Sequence, residues 1–144
     1  MLEHLEGSEI AIIGMAGRFP GAKNLGEFWQ NLHNGIESIR FFTDAELKEL
    51  GVNAATLRDP NYVKAAALLD DIELFDASFF GMTNREAEIT DPQHRLLLEC
   101  AWQAIEHAGY NPEIYPGAMG IYAGATISTY LLFNLFSHPE EIES

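Results

Sequence analysis

Residues 9–22 have the sequence EIAIIGMAGRFPGA, and this stretch carries the main signal for the fold class. From Ile10 to Ile13 the side chains are all apolar, and most are β-branched, which predicts a strand buried on both faces that ends at Gly14. Strands of this kind are typical of parallel sheets covered by helices. A second run of similar character, residues 119–125, predicts another buried strand. Together these two segments favour an α/β fold.

Helix signals lie between the two predicted strands. Asn24 and Glu27 have the spacing of a capping box, and Thr43 with Glu46 repeats it, so each pair predicts the start of a helix. Residues 62–69 stay ambiguous, because their alanines favour a helix whereas their flanking turn residues suit an extended connection.

The strongest helix signal is Asp91-Pro92, a capping residue followed by proline at the first helical position. This helix is predicted to run to Ala108, to end at Gly109 and to be a core helix, because apolar residues cover a wide arc of it. Residues 129–136 predict a further apolar helix.

Composition excludes several classes of function. The chain has 144 residues with 22 Asp+Glu against 8 Lys+Arg, for a formal charge of -14. Such an acidic chain is expected to bind neither nucleic acid nor an anionic membrane surface. The single cysteine excludes an internal disulfide, no signal peptide is recognisable and no apolar run could span a bilayer, so a cytoplasmic location is expected. No linker or repeat marks an internal domain boundary.

Individual residues suggest little chemistry. Gly14-x-x-Gly17 could be a nucleotide-binding loop, but Arg18-Phe19-Pro20 follows where a helix should start, which favours a tight structural turn. Cys100 has no cation or helix start nearby, which predicts an inert, packed thiol. No histidine has the spacing of a helical metal site, and all are interpreted as surface or capping residues: His4, His33, His94, His107 and His138. The carboxylate pairs, which we expect to be solvated, are Asp70-Asp71 and Glu140-Glu141.

Four blocks of sequence resemble one family. They are residues 9–22, FDASFFGM at residues 75–82, REAEITDPQHRLLLECAWQAIEHAG at residues 85–109 and MGIYAGA at residues 119–125. Their order and spacing resemble the start of the β-ketoacyl synthase (ketosynthase) domain of modular type I polyketide synthases or hybrid peptide/polyketide synthases. The departures from the family's pattern are Gly17 in place of a frequent cysteine, Ala66-Ala67 in place of frequent glycines and Asn84 in place of a common proline.

The resemblance implies an incomplete thiolase-type fold, the N-terminal portion of a layered α/β/α arrangement, with residues 1–8 as a leader or linker and residues 9–144 as a fragment of the domain. It also implies the partners of the complete domain: an acyl carrier protein with its phosphopantetheine arm, the acyltransferase domains of the synthase and a second copy in a homodimer. The family's reaction is acyl transfer to a cysteine followed by decarboxylative Claisen condensation.

The family's catalytic cysteine and histidine motifs lie beyond the last of these blocks. We therefore assign no catalytic, cofactor-binding or metal-binding residue, and we expect Cys100 not to be the nucleophile and the isolated chain to be inactive. The alternative is a non-catalytic remnant or scaffold half that binds a separately encoded partner. Residues 126–130 either line the acyl tunnel or dimer surface of a complete enzyme or form a helix-initiating loop capped by Ser128. Marginal stability or self-association is expected, because aromatic side chains would stay uncovered.

Overall fold

The computed structural model describes residues 9–136. This part of the chain forms two compact units. One unit is the continuous segment Arg18–Asp71, and the other joins residues 9–17 to residues 72–136. Both combine helices with extended or irregular segments, and each unit is described by itself below.

The unit Arg18–Asp71 consists of short elements with strong local signals. Its helices are α1 (Leu25–His33), α2 (Asp44–Glu49) and α3 (Ala54–Arg58). Its two strands, β1 (Arg40–Phe41) and β2 (Ala65–Ala66), pair antiparallel, with Arg40 opposite Ala66 and Phe41 opposite Ala65. Because β2 lies inside residues 62–69, the extended alternative for that ambiguous segment is correct.

Capping side chains start the helices of this unit. The Asn24 side chain accepts a hydrogen bond from the backbone N–H of Glu27 at 2.9 Å, which satisfies one unpaired donor of α1. Thr43 and Glu46 form both bonds of a capping box at α2. The starts predicted for these two helices are confirmed. Helix α3 was not predicted; Asn53 caps it by accepting a hydrogen bond from the backbone N–H of Thr56.

The second unit contains the longest helix of the described chain. Its helices are α4 (Asn84–Ile89), α5 (Pro92–His107) and a π-helix (Leu131–Leu135). Helix α5 starts and ends as predicted, with Asp91 as its N-cap and Gly109 in the left-handed region at φ +78°. The apolar helix expected over residues 129–136 is present, but residues 131–135 have the i to i+5 hydrogen bonds of a π-helix. Helix α4 was not predicted, although Thr83 and Glu86 form a capping box at its start.

Both predicted strands are wrong for this chain. No ladder pairs residues 9–14 or 119–125 with any other described segment, and most of their side chains are exposed. Ile10 is 94% exposed and Ile121 is 86% exposed. A strand forms its backbone hydrogen bonds with a neighbour, so an apolar sequence without a partner does not become a strand. Side-chain character alone identified these segments, and the missing neighbours explain the failure.

The core of the described chain is thin. Its buried apolar residues are Ala22, Leu47, Leu57, Ala77, Ala87 and Leu135. Helix α5 is not the core helix that its apolar arc predicts, because Leu97 is 43% exposed and the buried residue on α5 is Arg95. Too few elements pack around α5 to cover the arc.

Candidate functional site

Polar side chains meet at the N-terminal end of α5. The Asp91 carboxylate is buried there, and it accepts hydrogen bonds from the backbone N–H of Gln93 at 2.8 Å and from its side-chain amide at 3.3 Å. Burial by itself raises the pKa of Asp91, but the hydrogen bonds from Ser128 and Gln93 outweigh it and leave this pKa below its usual value. Asp91 is therefore an ionised cap at neutral pH, and it is unsuited to act as a general acid.

Three alternating side chains attach residues 126–130 to neighbouring helices, two of them to the start of α5 and the third to α4. The Thr126 hydroxyl donates to the side-chain oxygen of Gln93 at 2.8 Å, and Ser128 bonds to Asp91. The Tyr130 hydroxyl donates to the carbonyl of Glu88 at 2.6 Å. We call residues 126–130 the polar strap.

The polar strap also starts the π-helix. Ser128 Oγ accepts a hydrogen bond from the N–H of Leu131 at 3.0 Å, which confirms the predicted capping role of Ser128. Ile127, between the attached side chains, is 82% exposed. The alternative role of this segment, in an acyl tunnel or at a dimer surface, stays a prediction.

Residues 14–17, here called the glycine loop, pack on the C-terminal end of α5. A Cβ on Gly14 would clash with the carbonyl oxygen of Ala104 and would lie 2.9 Å from the Cβ of Ala108. Next along the loop, the backbone N–H of Met15 donates to Nδ1 of His107 at 2.9 Å. Gly14 is thus required for close packing against a helix. No helix starts within the Gly14-x-x-Gly17 motif, so the arrangement of a dinucleotide loop is missing.

An apolar cavity of about 300 Å³ lies near the same end of α5. Its wall is formed by a residue of the apolar segment 9–14, by residues of α5 and by residues that follow α5: Ile13, Ala104, Ile105, Ala108, Tyr110, Tyr115, Ala118 and Met119. No charged side chain is part of this wall. The cavity accommodates apolar groups, and its wall contains no cysteine, serine, histidine or carboxylate.

The structure does not bring the other candidate residues into a constellation. Cys100 is a half-buried free thiol in the middle of α5. Asp71 pairs with Lys23 at 2.6 Å. Among residues 9–136, no group of three or more potential metal ligands is found. The described histidines are exposed, as expected: His33, His94 and His107. Outside the described residues are His4, His138 and Glu140-Glu141.

The sequence profile of the β-ketoacyl synthase N-terminal domain matches residues 7–143, and the chain belongs to this family. It is 53% identical over 129 residues to a phenolphthiocerol/phthiocerol polyketide synthase polypeptide of Mycobacterium tuberculosis, a match that covers 90% of this chain and 9% of the relative. It is 42% identical over 121 residues to the polyketide synthase PksN of Bacillus subtilis, covering 84% of this chain and 2% of the relative.

Solved ketosynthases have a similar fold. Ketosynthase twelve of the bacillaene polyketide synthase from Bacillus amyloliquefaciens superposes with a TM-score of 0.61 at 46% identity, covering 67% of this chain and 17% of that chain. The ketosynthase from module 6 of the Bacillus subtilis bacillaene synthase gives 0.59 at 42% identity, covering 70% and 17%. These matches confirm the predicted family and the incomplete thiolase-type fold. The chain corresponds to the N-terminal part of a polyketide synthase ketosynthase.

The chain spans less than a tenth of the curated relatives named above and about a sixth of the solved ketosynthases. Over residues 9–136, the helices are all too short or too polar to cross a lipid bilayer.

Proposed function

We propose that this chain is the framework-forming N-terminal fragment of a ketosynthase domain and that polypeptide outside it supplies the catalytic groups. The complete domain would move an acyl group from the phosphopantetheine thioester of a carrier protein to a cysteine, releasing the carrier thiol. A malonyl-type extender would then lose CO₂, and the resulting carbanion would attack the enzyme-bound thioester. A carbon–carbon bond forms, and the cysteine thiolate leaves.

The exposure of residues 9–14 and 119–125 carries this proposal. Both segments are largely apolar, and residues 10–13 are mostly β-branched, yet no described strand pairs with either segment. Continuous runs of this type suit a sheet covered on both faces. The matched ketosynthases have chains about six times longer than the aligned region, which leaves ample polypeptide to cover and pair these segments.

Cys100 does not suit the role of nucleophile. A thiol becomes reactive as the thiolate, which helix N-termini and nearby cations stabilise. Cys100 lies in the middle of α5, and the polar groups gathered at the start of that helix belong to Asp91 and its partners. The proposal therefore assigns no catalytic role to any residue of this chain. Carrier protein, acyltransferase domains and a second copy of the domain are the partners that it implies.

A hybrid enzyme tests the proposal. Residues 9–144 replace the corresponding N-terminal part of the Bacillus amyloliquefaciens ketosynthase twelve, and both the hybrid and the isolated chain are incubated with an acetyl N-acetylcysteamine thioester. Mass spectrometry is expected to detect acylation of the hybrid at the cysteine of its Bacillus portion and none of the isolated chain. Acylation of the isolated chain at Cys100, abolished in Cys100→Ala, would contradict the proposal.

The second candidate is a scaffold half that binds a separately encoded partner and performs no chemistry. The same exposed apolar segments favour it, because they form a large surface without cover. Mixing the isolated chain with the separately produced remainder of the Bacillus ketosynthase distinguishes the two candidates. A stable complex that takes up no acyl group supports the scaffold, whereas a complex that is acylated supports the ketosynthase fragment.

A further inference from the structure

Arg95 is a buried cation whose donors are poorly paired. It lies near the start of α5, is 9% exposed and has no acceptor for its Nε within the described chain. Its Nη1 donates to the carbonyl of Glu73 at 3.4 Å, which is long for such a bond. The guanidinium carbon lies 6.0 Å from the centre of the Phe75 ring. The Phe75 ring thus lies beside the guanidinium, and the buried Nε donor has no hydrogen-bond partner within the described chain.

No carboxylate among the described residues neutralises Arg95. Asp91 precedes it by one helical turn, but its carboxylate accepts hydrogen bonds from Gln93 and Ser128 instead. This is unexpected in a chain with 22 acidic and 8 basic side chains. A buried guanidinium without a counter-charge is costly, and arginines in protein interiors are normally paired. The structure therefore contains a cationic position whose partner is missing from residues 9–136.

We propose that Arg95 is a docking site for a carboxylate side chain from the ketosynthase polypeptide that follows residue 144. This inference rests on the proposed function, which requires such a polypeptide. A carboxylate fits best, because its two oxygens match the planar fork of donors on a guanidinium and its charge cancels the buried cation. Arg95 is not part of the wall of the apolar cavity, so this carboxylate site and that cavity are separate.

The site predicts opposite effects of one substitution in two contexts. In the isolated chain, Arg95→Met removes an uncompensated buried charge and should raise the melting temperature by about 2–8 °C. In the hybrid with the Bacillus ketosynthase, the same change leaves a buried carboxylate unpaired and should lower the melting temperature by at least as much. Hydrogen exchange of α5 gives a second readout, slower in the isolated variant and faster in the hybrid variant.

Arg58→Met is the matched control, because Arg58 is exposed at the end of α3 and its loss removes the same charge. Arg58→Met should change the melting temperature of the isolated chain and that of the hybrid by no more than about 1 °C. A loss of stability from Arg95→Met in the isolated chain would overturn the docking site, since Arg95 would then be satisfied within the chain. So would a folded, acylated hybrid that tolerates Arg95→Met.

Two further outcomes are distinguishable. A wild-type hybrid that fails to fold or to acylate contradicts the proposed function, and the docking site falls with it. Glu140, Glu141 and Glu143 are exchanged for glutamine in two backgrounds of the isolated chain, one with Arg95 and one with Arg95→Met. If the exchange raises the stability of the Arg95→Met background only, the chain's own acidic end is the partner of Arg95. That result also overturns the proposal, because the carboxylate would come from within residues 1–144.

Discussion

Two kinds of segment differ in how far away their hydrogen-bond partners lie. They are the capped helices within residues 18–71 and the apolar segments 9–14 and 119–125. Helices α1 and α2 satisfy their first donors with side chains three residues away. The two apolar segments need neighbouring strands, and the described chain contains none beside them. Elements whose bonding is local therefore form in this chain, whereas elements that depend on a distant partner do not.

Substituting Gly14 is expected to have the largest effect. Gly14→Ala places a methyl group against the carbonyl of Ala104, and relieving the clash should cost about 1–3 kcal/mol of unfolding free energy. Urea denaturation of the isolated chain measures this loss. Gly124→Ala is the control, because a Cβ there meets nothing within 4 Å. Equal stability of the two variants would show that the glycine loop does not depend on α5.

Removing the cap of α5 comes next. Asp91→Ala should cost about 1–2 kcal/mol, because the N–H of Gln93 and the hydroxyl of Ser128 lose their acceptor. Hydrogen exchange should accelerate in α5 and in the polar strap together. Asp91→Asn keeps an acceptor oxygen and should retain most of the protection. If Asp91→Ala and Asp91→Asn accelerate hydrogen exchange equally, the Asp91 cap does not hold the polar strap in place.

A smaller and purely local loss is expected at α2. Thr43→Ala removes the side-chain acceptor for the N–H of Glu46 and should cost about 1 kcal/mol. Thr43→Ser retains the hydroxyl and serves as the control. Amide exchange measured residue by residue should change in α2 and stay constant in α5. Simultaneous loss of amide protection in both helices would argue against the view that each helix is stabilised by its own cap.

The smallest effect is a pH dependence at the same capping box. Hydrogen bonds from the backbone and side chain of Thr43, then from Arg40, lower the pKa of Glu46 from its usual 4.5 to about 2. Because the folded form has the lower pKa, the contribution of Glu46 is fully present above about pH 4.5 and disappears as the pH falls through about 2. An NMR titration of the carboxyl carbon measures this. A midpoint near 4.5 would mean that the capping box is open in solution.

Much of the helical structure was predictable, because its signals lie within a few residues. The ends of α5 follow from Asp91-Pro92 and Gly109, and the capping box of Thr83 with Glu86 could have revealed α4. The small sheet could not be predicted in the same way, since its paired strands are two residues long and about 25 residues apart. Strands this short carry no period-2 pattern.

The candidate site was predictable in one part only. The capping role of Ser128 follows from its position three residues before Leu131. The bond between Thr126 and Gln93 joins residues 33 positions apart, and that between Met15 and His107 joins residues 92 positions apart. Neither pair has a sequence pattern of its own. The burial of Arg95 was likewise unpredictable, because arginine is an exposed residue by default.

The family, the acidic charge and the starts of helices α1, α2 and α5 follow from the amino-acid order, because motif order, composition and capping are properties of the chain read along its length. Three-dimensional packing was needed to show that the two apolar segments stay unpaired, that the polar strap attaches to α5 and that Arg95 is buried without a counter-charge within the described residues. The physical reason is that burial and pairing depend on which distant groups meet, and sequence spacing does not specify those meetings.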